Sequence, residues 1–575
     1  MQPVRQRRWT LRAHSPPPQL VLQLVESLQI SELLATILCQ RGYSTSADAQ
    51  LFLHSVLTTL PDPELLPDME RACQRLQKAL QAGEKISVHG DYDVDGISGC
   101  TLLVETLRAF GGLVDYHIPL RLIEGYGLSA DAIRQAAEQG CRLIMSVDCG
   151  VSAHAEARLA QQLGIDLIIT DHHQPGTTLP PALALVNPQL AASRYPYAAL
   201  AGVGVAFMVL VALRKRLRDS GYFQSRSEPD LRHSLDLVAL GTIADIAPLT
   251  GVNRTLVKTG LRLLEKGNRS GVAALKMVAG VSAVNSGTVG FQLAPRLNAA
   301  GRLEDAALGV KLLLGDKDIN LQAVAQQLDQ FNQERQALEK KVLADAMTRV
   351  EADPQQRRSI VLASSDWHSG VIGIVASRLV ERYHRPTFLI ALDKGVGKGS
   401  GRSIKGFDLY QALKECGDLL DGYGGHTMAA GLTITESQLE NFSRRFEQVA
   451  AARLTDELCT PSIEHDGECR LDLWSVAAVQ ELQALEPFGV GNPQPLFLSR
   501  RCTIKNCSLV AEKHLKFDVE QQGTLMSAIA FGCSERFVDC SGEVDILYRP
   551  QLNVWRGHTK VQMQVVDFCR AGGQG

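Results

Sequence analysis

The sequence predicts an α/β protein: a parallel-sheet domain, a second α/β lobe joined to it by a long helix, and a C-terminal OB-like β-barrel. Three observations point there. From residue 85 short β-rich runs alternate with helical stretches, the signature of a parallel sheet wrapped by helices. Residues 321–350 hold a helical pattern with no internal Gly or Pro. After residue 500, five short β-like runs crowd into about seventy residues, as in a small closed barrel.

Residues 1–75 read as an N-terminal helical extension, punctuated by Pro16-Pro17-Pro18 and by Pro61, Pro63 and Pro67. The parallel-sheet domain, 76–315, opens with a strand at 85–89 and a helix near 97–110. It continues with a strand at 114–118, a helix at 130–139, a strand at 142–147 and a helix over 154–163. Strands at 166–170 and 182–186 follow. Ser129 is a natural N-cap and Gly140 a natural helix stop. The apolar run 200–213 is shorter than the ~20 residues a membrane span needs, contains two glycines and ends in Arg214-Lys215-Arg216, so it reads as a buried core helix.

The connector, 316–352, carries Leu321, Val324, Leu328, Phe331, Leu338 and Val342 at three-four spacing, with Arg335 interrupting, and reads as a rigid link. The second lobe, 353–458, has strands near 359–363 and 387–391. The last domain, 459–575, has β-like runs at 502–509, 515–519, 527–531, 544–548 and 561–566.

Composition narrows the class without choosing a substrate. The 575 residues are 45% hydrophobic and 21% charged, an ordinary globular balance. A net charge of −3 advertises no polyanion partner, so positive charge toward one must be local. Thirteen cysteines form no CxxC pair; Cys141 with Cys149, Cys502 with Cys507 and Cys533 with Cys540 lack zinc-ligand spacing. They read as reduced thiols in a cytoplasmic protein. The basic start, 1–14, is followed by no apolar stretch of a leader.

The chemistry concentrates where strands end. The first strand runs into His89-Gly-Asp91-Tyr-Asp93-Val-Asp95-Gly96, the strand at 142–147 into Asp148-Cys149-Gly150, and the strand at 166–170 into Asp171-His172-His173. Gly241-Thr-Ile-Ala-Asp245 adds a carboxylate after an apolar helix. So many acids and imidazoles at one sheet edge repel one another and resist desolvation unless cations neutralise them. Two divalent metals about 3.5–4 Å apart do so, and they also polarise a phosphate and ionise a water. Mixed Asp and His donors suit manganese or magnesium.

These motifs in this order resemble those of the DHH phosphoesterase superfamily. Others resemble its RecJ branch: Tyr126-Gly-Leu-Ser129, Leu200-Ala-Gly-Val-Gly-Val-Ala206, Pro295-Arg-Leu-Asn-Ala-Ala-Gly-Arg302, Trp367-His-Ser-Gly-Val-Ile-Gly373, Gly399-Ser-Gly-Arg-Ser403 and Gly424-Gly-His-Thr-Met-Ala-Ala-Gly431. The resemblance makes 76–315 the DHH phosphoesterase domain and 353–458 the DHH-associated substrate-binding domain. The 459–575 segment becomes an OB-like single-strand-binding domain.

It implies that His89 and Asp93 bind one metal, Asp95, His172 and Asp245 the other, and that Asp148 bridges. His173 would sit beside the phosphate, and Asp91 and Asp171 would orient the ligand rings. Catalysis would rest on Asp95, Asp148, His172, His173 and Asp245. Phosphate or DNA contacts would come from Arg296, Asn298, Arg302, Arg378, Ser400, Arg402, Gly425 and His426, the second lobe's glycines being turns that let backbone N–H groups approach an anion.

In the barrel, Arg501, Lys505, Lys513, Lys516, Arg549, Arg556 and Lys560 interleave with Phe517, Phe531, Tyr548 and Trp555. Phe517 and Phe531 are expected in the core and Trp555 on a stacking platform. The implied activity is 5′→3′ hydrolysis of single-stranded DNA in repair and recombination, with a cleft between the lobes excluding duplex. The implied partners are single-strand-binding protein and a helicase, and the implied state is a monomer. A DHH phosphoesterase for oligoribonucleotides or other short nucleotides is the alternative, which the extra C-terminal segment disfavours.

Overall fold

The computed structural model describes residues 7–121, 124–316, 318–353, 357–539 and 542–572. The first six residues, the last three, and Cys540 of the cysteines discussed above lie outside them. The chain divides into two compact units. One comprises Phe52–Glu334 with Leu485–Pro493; the other comprises Met1–Leu51, Arg335–Ala484 and Gln494–Gly575. The division falls inside the predicted connector, a continuous helix Leu321–Ala352.

The N-terminal stretch is not a separate layer. Its strand β1 (Arg8–Leu11) pairs in parallel with a later strand of the same unit, Ser462–His465. The helix Met69–Ala82, which straddles the expected boundary at residue 75, packs as a whole with the parallel-sheet unit: Ala72, Leu76 and Ala79 are fully buried in its core.

That unit is built on five parallel strands, β2 (Lys85–Gly90), β3 (Leu113–His117), β4 (Leu143–Val147), β5 (Asp166–Thr170) and β6 (Ala184–Val186), in the order β3-β2-β4-β5-β6. Strand order reverses between β2 and β4, and in open α/β sheets ligands bind in the crevice beyond the carboxyl ends at that switch. β4 is buried along its whole length, as a strand covered by helices on both faces must be. The helix Val94–Ala109 is almost wholly buried and starts so close to the turn before it that a Cβ on Gly96 would lie 2.5 Å from the Asp91 backbone. The apolar run forms the core helix Gly202–Asp219. Among the described residues no helix is long and apolar enough to cross a membrane.

The other unit holds a five-stranded mixed sheet of β7 (Ile360–Ser364), β8 (Thr387–Asp393), β9 (Val396–Arg402), β10 (Gly422–Gly425) and β11 (Ala429–Thr435), ordered β10-β11-β9-β8-β7. β7 and β8 match the sequence expectation; β9, read as a glycine-rich turn, does not. Gly397, Gly399 and Gly401 sit at alternate positions of that strand. A Cβ on each would meet Ile390, Leu432 and Phe388 at 2.7, 2.7 and 2.3 Å. These glycines make room for large core side chains of the neighbouring strands and do not free the backbone for an anion.

After β12 (Ser462–His465) and the short β13 (Gly467–Glu468) comes the barrel: β14 (Phe497–Val510), β15 (His514–Gln521), β16 (Thr524–Ala530), β17 (Glu543–Trp555) and β18 (His558–Arg570). The pairing β14–β17 closes the ring, and every predicted β-like run lies in one of these strands, apart from Phe531 at one end.

Candidate metal centre

Strand ends and helix termini place every donor. Asp91, Asp93 and Asp95 follow β2, Asp148 follows β4, and Asp171, His172 and His173 follow β5. Asp245 caps the carboxyl end of the helix Leu235–Ala244. Asp93 is itself an N-cap: its Oδ1 accepts the backbone N–H of Asp95 at 2.9 Å and of Gly96 at 3.1 Å. Asn298 adds a third bond there, accepting the Val94 N–H at 3.2 Å.

The Leu200-Ala-Gly-Val motif works on the site from the opposite side. The backbone N–H groups of Gly202 and Val203, at the start of their helix, donate to Asp95 Oδ2 and Oδ1 at 2.6 and 2.9 Å. A Cβ on Gly202 would stand 2.7 Å from Asp148 Cβ, so only glycine fits. The His172 ring bonds the Leu200 backbone. Asp148 takes a left-handed backbone, φ 63°, uncommon for a residue with a side chain. Its carbonyl accepts the Tyr126 hydroxyl at 3.0 Å. Gly127 N–H approaches Asp91 Oδ1 at 3.4 Å. Tyr126 and Gly127 belong to a motif visible in the sequence, whose task only the structure reveals.

The donors converge in three groups, the ligand atoms of each lying within 4.8 Å of one another: Asp95, His172 and Asp245; Asp91, Asp93 and Asp148; Asp148, His172 and His173. His172 Nε2 lies 3.0 Å from Asp148 Oδ1, 3.8 Å from Asp245 Oδ2 and 3.9 Å from Asp95 Oδ2. The buried atoms His89 Nδ1, Asp91 Oδ2, Asp148 Oδ1 and His172 Nε2 have no hydrogen-bond partner among the described residues. Polar atoms buried together without partners cost free energy unless something else satisfies them, and a set of carboxylate oxygens and imidazole nitrogens with no thiolate fits a divalent cation such as manganese or magnesium.

The titration of these groups says the same. Burial, then the charge of Asp93, pushes the Asp95 carboxyl up to about 7. Burial and the charges of Asp95 and Asp93 take Asp245 up to about 8. Asp91 and Asp148 are raised by burial and by neighbouring carboxylates. Burial and the nearby His173 hold His172 down to about 4, a neutral ring free to ligate. Without cations the cluster keeps protons where metal would sit.

Asp171, expected to orient, contacts both histidines. Its Oδ1 accepts the His172 N–H at 2.7 Å and the His173 N–H at 3.1 Å, and lies 2.7 Å from His173 Nδ1, while Oδ2 accepts the Val151 N–H at 2.8 Å. Burial works against its charge, but the His173 ring and these N–H groups hold it below the usual carboxylate range. Burial also disfavours a charged His173, yet the Asp171 bond and the charges of Asp171, Asp245 and Asp95 bring that ring up to about 9.

Two expected roles meet a different geometry. His89 belongs to none of the three groups; its Nε2 lies 3.0 Å from Ser87 Oγ and its ring 5.4 Å from that of His117. Its Nδ1 is buried and has no hydrogen-bond partner among the described residues. Asp91, expected only to orient, is in a donor group.

A cavity of about 250 Å³ opens beside the cluster, lined by Tyr92, Asp93, Arg121, Ala244, Asp245, Asn298 and Arg302. Arg121, which nothing in the sequence singled out, lies 4.9 Å above the Tyr92 ring. Arg296 is absent from this lining: it pairs with Asp329 at 2.8 Å and donates to the Gln292 carbonyl. In the other unit Arg378 pairs with Glu339 and Glu381. Arg402 donates to Ser400 Oγ at 3.2 Å and to the Gly401 carbonyl at 2.8 Å. Gly425, at φ 143°, and His426 are exposed where β10 turns into β11.

In the barrel, Phe517 is buried as expected, but Phe531 is 53% exposed, because it lies just beyond the end of β16 against His514. Tyr548 is buried, bonded to Trp474 and Ser499. Trp555 is 71% exposed at the β17–β18 tip, with the Arg556 guanidinium 5.8 Å from its ring.

Three family models match the chain: the DHH family N-terminal domain over residues 85–242, the DHHA1 domain over 357–452 and the RecJ OB domain over 465–567. The single-stranded-DNA-specific exonuclease RecJ of Escherichia coli is 38% identical over 558 residues, covering 94% of this chain and 96% of that protein. The crystal structure of Thermus thermophilus RecJ in complex with Mn2+ superposes with a TM-score of 0.85 at 34% identity, over 98% of this chain and 80% of that one. The same protein in complex with Mg2+ gives 0.79 at 31% identity, over 98% and 79%.

Proposed function

The chain belongs to the RecJ family of single-stranded-DNA-specific exonucleases, and from that premise we propose how its residues carry out the reaction. It is a metal-dependent exonuclease that hydrolyses phosphodiester bonds of single-stranded DNA, with manganese or magnesium as cofactor. The observation that carries the mechanism is the set of buried, partnerless atoms of Asp91, Asp148 and His172 at the switch point of the sheet.

In our reading two ions would be held, one by Asp95, His172 and Asp245 and the other by Asp91 and Asp93, and Asp148, which belongs to a donor group with Asp91 and Asp93 and lies 3.0 Å from His172, would contribute to the pair. Asp91 thus takes the place expected of His89, whose ring is turned toward Ser87 and His117. When bound, such ions polarise the phosphate and make a nucleophile of water. The chain's own residues do the rest. Asp171 fixes the His173 ring, which is placed to bond a phosphate oxygen. Gly202 and Val203 N–H groups lock the Asp95 carboxylate. The Tyr126 hydroxyl holds the strained Asp148 backbone. Asn298 keeps the turn carrying Asp93 in register, and Arg302 with Arg121 gives the cavity a cationic wall suited to phosphate.

We assign Ser400, Arg402, Gly425 and His426 to backbone contacts and Trp555 to base stacking, on the strength of the DHHA1 and OB matches. Arg296 and Arg378, engaged with carboxylates, are assigned structural roles. The finer reading is 5′→3′ polarity, service in repair and recombination, a cytoplasmic location, and action as a monomer alongside single-strand-binding protein and a helicase.

Digestion of strands labelled at either end, single and duplex, tests it. Loss of a 5′ label as mononucleotide, only from single strands and only with Mn2+ or Mg2+, is expected. Release from the 3′ end first would refute the polarity.

A further inference from the structure

The helix Leu235–Ala244, which delivers Asp245, ends in a way that costs free energy twice. Ala247 N–H bonds the Thr242 carbonyl at 3.2 Å and Ile246 N–H the Ile243 carbonyl at 3.1 Å, the paired bonds of a Schellman stop. That stop requires a left-handed residue at Ile246, where glycine is the usual occupant. Here the position, at φ 61°, holds a β-branched side chain, the type least suited to it. The side chain is also 68% exposed, so it recovers little of the strain by burial.

A second large apolar side chain is exposed on a turn packed against that helix. Phe291 is 87% exposed on the π-helical turn Val289–Leu293. That turn packs against the helix bearing Asp245: a Cβ on Gly290 would touch Ile243 Cγ2 at 3.7 Å. It runs directly into the helix Ala294–Leu303, which supplies Asn298 and Arg302 to the cavity. Ile246 directly follows Ala244 and Asp245, which line the same cavity. Two exposed apolar groups thus sit on elements that line the cavity, whose walls hold two carboxylates, an amide, two guanidinium groups, the Tyr92 ring and Ala244. Isolated π-turns in helices gather at functional sites, and backbone strain that packing does not repay is a mark of them as well.

We propose that Ile246 and Phe291 form an apolar shelf that receives the nucleobases of the strand as its phosphates enter the metal centre. This rests on the single-strand nuclease reading and adds to it a residue-level basis for base contact. A base has an apolar face that stacks on Phe or packs on Ile whatever its identity, so the shelf holds any sequence. Bases paired in a duplex have their faces covered by neighbouring base pairs, so the shelf selects unstacked strands.

The test is a cycle between protein and substrate. Ile246→Gly and Phe291→Ala are compared with wild type on single-stranded DNA and on the same strand with abasic terminal nucleotides. Both variants should fold: glycine is the preferred residue at this stop, so the thermal midpoint of Ile246→Gly should equal or exceed that of wild type, and Phe291 is exposed. On the natural strand each should raise KM roughly tenfold, with kcat within about twofold. On the abasic strand wild type should show the same rise, and the variants should add little to it. Wild-type kinetics in both variants, or an equal loss on natural and abasic strands, would overturn the shelf. Failure of the wild-type chain on natural single strands would overturn the nuclease reading and the shelf with it.

Discussion

At the scale of residues, Asp148 concentrates the site's tensions. It is buried, left-handed, 3.0 Å from the His172 ring and surrounded by four other carboxylates that raise its affinity for a proton. Asp95, up to about 7, and Asp245, up to about 8, likewise hold protons more tightly in the folded chain than in the unfolded one. The stability they contribute to the metal-free protein is therefore complete below about pH 4. It is lost as pH rises through 7 to 8. Asp148→Asn keeps the shape and removes one charge. Hydrolysis should fall by a factor on the order of a thousand or more, about 4 kcal/mol of transition-state stabilisation. The metal-free variant should lose less stability than wild type between pH 5 and pH 8. Kinetics and urea melts across that range check both; a steeper decline in the variant would contradict the cause assigned here.

At the scale of elements, the alternation of β2 to β6 with their helices is readable from local pattern: β4 is apolar but for Ser146, and the Ala130–Glu138 helix carries its N-cap Ser129. The carboxylates were legible for the same reason, since a strand end is where such sheets place function. β9 was not. Glycine is depleted in strands, so Val-Gly-Lys-Gly-Ser-Gly-Arg looks like a turn, and only pairing with β8 and β11 on its two sides makes it a strand. That Asp91 lies within a donor group was hidden by the same kind of limit: sequence names the donors beyond a strand, but the turn after β2 decides which of them come together.

The strand reading makes its own prediction. Gly401→Ala puts a methyl 2.3 Å from the Phe388 ring and should cost about 1–3 kcal/mol, read as a shifted urea midpoint. Trimming the ring in the double variant Gly401→Ala, Phe388→Leu should recover part of it. If Gly401→Ala is neutral, β9 is not packed as described.

At the scale of the whole molecule, the chain's order and its units do not coincide. Leu485–Pro493, far along the sequence, belongs to the catalytic unit: Leu249 N–H bonds the Val490 carbonyl at 2.7 Å, the buried Arg254 donates to the Leu485 carbonyl at 2.8 Å, and Ser286 donates to the Phe488 carbonyl. Nothing in the pattern of residues after 459, read as one barrel domain, hints at this return. Truncation after Pro493 removes the closed barrel alone. It should weaken binding to long single strands several-fold while leaving turnover of short oligonucleotides within about twofold. Truncation after Thr460 also strips the segment from the catalytic unit and should lower its thermal midpoint and abolish both activities. Equal behaviour of the two truncations, followed by binding, kinetics and melting, would show that the returning segment contributes nothing.

Calorimetric titration of Mn2+ into the metal-free protein, repeated in two buffers of different ionisation enthalpy near pH 7, addresses the centre itself. The structure predicts two ions per chain, with protons released as they enter because Asp95 and Asp245 still hold some at that pH. It also predicts weakened binding in Asp148→Asn. A folded protein that takes up no divalent ion, or that cuts single strands undiminished in excess chelator, would contradict it.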